Sequence, residues 1–98
     1  MNLYLVTRHD DWSFDDYESF VVCCNDEETA RKTHPESLIY EEKTSLWYLL
    51  NDDGDRYYIP DRPGWIKGKY INNLKVEHIG IANENITPGI LIRNYHAG

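Results

Sequence analysis

The sequence predicts an α+β fold, a single domain over 1–98 with a mainly antiparallel sheet of about five to six strands and one short helix packed on it. Three observations carry this reading. Six short runs rich in β-branched, aromatic and aliphatic residues are separated by turn residues. One segment alone, about 25–33, has helix signals at both ends. The order is strands, then one helix, then more strands, not the strict β–α alternation of a parallel sheet. A chain of 98 residues fits one domain with a modest core.

Residues 2–8, NLYLVTR, alternate. Leu3, Leu5 and Thr7 share one face; Tyr4, Val6 and Arg8 share the other. Residues 18–24, ESFVVCC, give the second strand after a ten-residue gap. That gap is long for a hairpin loop, and long ordered loops often carry function. NDEETARKTHP follows as the helix. Asn25 is a candidate N-cap with Glu28 three residues on. Asp26 and Glu27 suit the positive end of the helix dipole, and Arg31 and Lys32 suit the other end. His34 beside Pro35 reads as a charged cap at the C-terminal end. Few residues besides Ala30 can be buried, so this helix must lie on a sheet.

Residues 45–59, SLWYLLNDDGDRYYI, read as a hairpin turning at Asp53–Gly54. A calcium loop counted from Asn51 would need Gly at its sixth place and Glu at its twelfth; Arg56 and Arg62 stand there. PDRPG at 60–64 is a turn. WIKGKYINN at 65–73 mixes lysines with aromatics and reads as a solvated loop. LKVEHIGIA (74–82) and GILIRNY (89–95) are the last two strands.

Charge narrows the function classes. The net charge is −7. Residues 1–49 hold eleven acids and four bases, and residues 50–98 hold six of each. Such a surface repels phosphate backbones, so no nucleic-acid partner is expected. No apolar run approaches the ~20 residues of a membrane helix, and the start lacks the basic region and apolar core of a signal peptide. Cys23 and Cys24 are adjacent, and a bridge between them would be strained. They read as two buried thiols of a cytoplasmic protein.

The densest polar cluster is RHDDWSFDDYE, residues 8–18. Metal binding or catalysis has no motif spacing behind it here. The four histidines, at 9, 34, 78 and 96, share no ligand spacing, and no phosphate loop, nucleophile elbow or paired-cysteine motif is present. Neither metal nor cofactor is expected, and the chain is read as a non-enzyme. Interleaved aromatics keep a contact surface open beside the plain solvated loop. The candidate partner-binding residues are Asp10, Asp11, Trp12, Asp15, Asp16 and Tyr17. An alternative set lies at the strand ends. Arg8, Arg93, Tyr95 and His96 would form a polar-aromatic patch for an anionic ligand such as a nucleotide. The bland alternative is that the two arginines neutralise the acidic loop.

LYLVTRHDD…DDYESFVVCCNDEETARKTHP and the ending HIGIANENITPGILIRNYHAG resemble a group of small phage and prophage proteins. The resemblance covers roughly 2–35 and 76–98; the hairpin 45–59 then reads as an insertion of this chain. It implies context rather than chemistry: an accessory protein in the cytoplasm of an infected or lysogenic bacterium. Two functions follow as expectations. One is a counter-defence or host-takeover inhibitor that binds a host or defence-system protein. The other is a binder of a signalling nucleotide (a second messenger), acting as an oligomer, with a homodimer as the simplest form.

Overall fold

The computed structural model describes residues 1–9, 16–59 and 64–96. Among these residues seven strands form two antiparallel sheets in one domain. The first sheet has the order β6-β1-β2-β7 and the second β3-β4-β5. The large sheet comprises β1 (Asn2–Thr7), β2 (Asp16–Cys24), β6 (Lys75–Ile81) and β7 (Gly89–His96). The small one comprises β3 (Ile39–Glu41), β4 (Leu46–Leu50) and β5 (Arg56–Tyr58).

The alternation read in β1 sets the large sheet. Tyr4, Val6 and Arg8 are buried, while Leu3, Leu5 and Thr7 are half-covered on the far face. Register fixes the neighbours: Val6 stands opposite Phe20, and Phe20 opposite Arg93. The inner face therefore carries Tyr4, Val6, Phe20 and Val22 into a core shared with Trp47, Trp65 and Leu74. The outer face carries the row Glu77–Leu5–Val21–Ile92.

The helix is shorter than its sequence signals. α1 spans Glu27–Arg31, and its N-cap is Asp26, not Asn25. Asp26 Oδ1 accepts from the Thr29 N–H at 2.8 Å. Both residues are good caps, and tertiary contact decides between them: the Asn25 carbonyl is already taken by Asn2 Nδ2 at 3.1 Å. Arg31 ties the helix down by donating to the Ile71 and Leu74 carbonyls at 2.9 and 2.7 Å.

His34 corrects a second expectation. It is not a charged cap in solvent but 3% exposed, edge-on to Trp47 at 4.9 Å. Its Nδ1 accepts from the Glu36 N–H at 3.0 Å, a bond that a doubly protonated ring has no lone pair to make.

Residues 65–73 correct a third. Trp65, Ile66, Ile71 and Leu74 are buried, and Gly68–Asn73 is a 3-10 helix. The solvated-loop reading weighed Lys67 and Lys69, which do face outward, and missed the apolar residues between them. The Trp47 indole N–H donates to the Ile66 carbonyl at 2.9 Å, joining the small sheet to this segment. A Cβ on Gly68 would stand 2.3 Å from the Ser45 carbonyl oxygen, so no larger residue fits.

The hairpin forms where Asp53–Gly54 predicts it. Asn51 organises the turn: its Oδ1 accepts from the N–H groups of Asp53 and Asp55 at 3.0 and 2.8 Å. Gly54 has φ +85°, which glycine adopts without steric cost.

Candidate functional site

A groove of about 630 Å3 lies between α1, the segment leading into β3, and the start of β7. Its formation follows from an incomplete inner layer. α1 lies over β1, β2 and β6, and the small sheet docks through Trp47. The start of β7 is left without a covering element, so Gly89 and Ile90 form one wall. Val22, Leu38 and Tyr40 supply apolar lining, and His34 also borders the space.

The charged groups at the rim are already matched. Lys32 Nζ bonds Glu28 Oε1 at 2.9 Å and also Glu42 Oε1, and it sits 6.0 Å from the centre of the Tyr40 ring. The hydrogen bonds that Lys32 donates to Glu42 and then to Glu28 push its ammonium above its ordinary value. The same contact holds the Glu42 carboxyl below its ordinary value. Cys24 also borders the groove. Burial pushes its thiol up, against the lowering effect of its bond to the Asp26 carbonyl at 3.3 Å. A thiol held protonated is a poor nucleophile. Cys23 and Cys24 are both buried and free. Among the described residues no three His, Cys, Asp or Glu side chains gather as a metal group.

The residues singled out from sequence fall elsewhere. Asp10, Asp11, Trp12 and Asp15 lie outside the described residues. Asp16 and Tyr17 open β2, paired with His96 and Tyr95 of β7. The backbone thus sets the described end of the acidic stretch against the end of the last strand. The Tyr17 N–H donates to the Gly64 carbonyl at 2.7 Å. Arg8 is buried, with its guanidinium 5.8 Å from the centre of the Trp65 ring. Arg93 donates to the Pro35 carbonyl at 3.0 Å. The two arginines therefore sit on either side of β2, each engaged with its own neighbour.

The sequence reading passed over the groove because its walls come from three distant stretches, 22–24, 29–42 and 88–90. The available signal was the apolar run Leu38-Ile39-Tyr40 just after Pro35, too short to show a period. No family model, curated protein or solved structure matches the chain. No helix among the described residues is long and apolar enough to cross a membrane.

Proposed function

We propose that the protein acts by binding, and that the groove between α1, β3 and β7 receives an apolar anchor from a protein partner. The observation that carries this is the pairing of an apolar lining with a rim whose cation is already neutralised. Interfaces concentrate their energy where a large apolar side chain fills a desolvated pocket inside a polar ring. The Lys32–Glu28–Glu42 cluster supplies such a ring. The phage-like sequence pattern supports a host or defence-system protein as the partner, with the protein working as an inhibitor in the bacterial cytoplasm.

The volume also falls in the range of small-ligand pockets, so a signalling nucleotide is the second reading. It is less favoured. A phosphate arriving at the rim meets Glu28 and Glu42 as well as Lys32, and Arg93 is engaged with Pro35.

Peptide-display selection on the immobilised full chain tests the proposal, followed by calorimetry of the enriched peptides. Peptides with an apolar anchor should bind the native protein and lose at least about ten-fold in affinity against Ile39→Glu, which changes an exposed groove residue. Binding indifferent to Ile39→Glu sinks the groove reading. Binding abolished by Asp11, Asp15 and Asp16 changed together to Asn moves the interface to the acidic loop. Thermal stabilisation by a nucleotide panel, absent with peptides, favours the second reading.

A further inference from the structure

Among the described residues four strands lie at sheet edges, and their chemistry differs. An edge strand offers unpaired N–H and C=O groups to any other strand, and proteins blunt that hazard with charge, shortness or bulges. β6 carries Lys75, Glu77 and His78 and a register shift against Leu3/Tyr4. β3 and β5 are three residues each and present Glu41 and Arg56. β7 is eight residues long and has one formal charge, Arg93, whose guanidinium is turned away to the Pro35 carbonyl. Its Ile92 and Leu91 are 66% and 43% exposed. Its pairing with β2 also shifts twice, at Val21/Val22, where Leu91 is the extra residue, and at Tyr17/Ser19, where Glu18 of β2 is, so charge and apolar exposure rather than regularity set β7 apart from the other edges.

We propose that two copies of this chain associate by antiparallel pairing of β7 with β7, joining the large sheets into one of eight strands. Charge selects a second copy over a basic partner. The whole −7 lies in residues 1–49, whereas the half that contains β7 is neutral. Two copies meeting at β7 therefore bring together their least acidic segments. The Glu18 carboxylate on β2 accepts from Asn94 Nδ2 at 2.9 Å. The direction also follows. Asp16 pairs with His96, so the acidic start of β2 meets the C-terminal end of β7. Antiparallel joining sends the two acidic ends to opposite ends of the seam, whereas parallel joining would stack them. Apolar continuity supports the same arrangement, because the outer-face row Leu5–Val21–Ile92 would run on into the row of the second copy. The contact is isologous and closes at two. It also directs the C-terminal end of one β7 toward Gly89–Ile90 of the other, at the groove wall. The inference does not depend on what the groove binds.

Light scattering on the size-fractionated full chain, from micromolar to millimolar concentration, provides the test. The expected mass is twice the 11.6 kDa of one chain. Ile92→Lys places cations at the seam on an already exposed position and should weaken association at least about ten-fold. Ile81→Lys on β6, at a residue 79% exposed, should leave it unchanged. Circular dichroism checks that both variants are folded, and backbone amides of β7 should gain exchange protection with concentration. A native chain monomeric throughout overturns the proposal, as does a dimer indifferent to Ile92→Lys or one lost in Ile81→Lys.

Discussion

The two sheets are held by different means. In the large sheet, strands of six to nine residues bury a regular inner face, so stability is spread over Tyr4, Val6, Phe20 and Val22. In the small sheet the strands have three, five and three residues, and most of its aromatic and aliphatic side chains face solvent. Tyr57 is 60% exposed and Leu50 is 53% exposed. Trp47 is its most deeply buried side chain and the main peg: it packs against His34 and donates to the Ile66 carbonyl, while Tyr40 and Ile59 add partly buried contacts to the core. A long sheet distributes its anchorage; a short one needs a main peg.

Truncating one anchor in each sheet gives the largest expected effect. Phe20→Ala and Trp47→Ala should each cost about 3–5 kcal/mol, measured by denaturant unfolding. They should differ in hydrogen exchange. Phe20→Ala should raise exchange throughout, whereas Trp47→Ala should release the β3–β5 amides first and leave β1–β2 protected. Equal release in both variants would merge the two sheets into one cooperative unit.

Gly68→Ala attacks the joint between the sheets. The new methyl meets the Ser45 backbone, which cannot yield as a side-chain end can, and a loss of about 1–3 kcal/mol is expected. Protection should fall chiefly around the turn preceding β4. Asn51→Ala removes two acceptor bonds from the hairpin turn and should cost about 1 kcal/mol, read from the same unfolding curves.

Acid gives the smallest effect and touches both regions. Asp26, at the N-cap of α1, is held below its ordinary value by its bonds from Thr29. Glu41, in the small sheet, is held below by the Tyr58 hydroxyl first, then by Thr44 and Arg56. A carboxyl whose folded value is depressed binds fewer protons folded than unfolded. Its contribution is present above the unfolded value of about 4 and is lost as pH falls through the folded one. Unfolding midpoints should therefore drop below about pH 4, and Glu41→Gln should flatten part of that slope. An unchanged slope would leave the acid response to α1 and Glu42.

Legibility in the sequence follows the same division. β1, β2, β6 and β7 were readable because a strand with one buried face shows its period of two, as Tyr4-Val6-Arg8 does. The hairpin was readable from Asp53–Gly54, a local signal. β3 was not, because three residues show no period, and without it the second sheet was invisible. The helix start slipped by one residue because Asn25 and Asp26 are equally good caps. Residues 65–73 were misread because a 3-10 turn buries Ile71 and Leu74 with polar Asn72 and Asn73 between them, a pattern that mimics a loop. The groove is a gap between elements, and a gap has no residues of its own to read.

The position of the first strand has a kinetic consequence. β1 is central, with β2 on one side and β6 on the other, and Asn2 pairs with Ile81 while the Met1 carbonyl accepts from the Ala82 N–H. The hairpin β1–β2 closes over a short stretch of chain, but its other neighbour, β6, follows only after the small sheet and the 3-10 helix. During synthesis β1 must wait, one edge unsatisfied, until β6 has emerged. Such distant pairing slows folding, and the waiting edge is the interval in which a nascent chain is most exposed to aggregation.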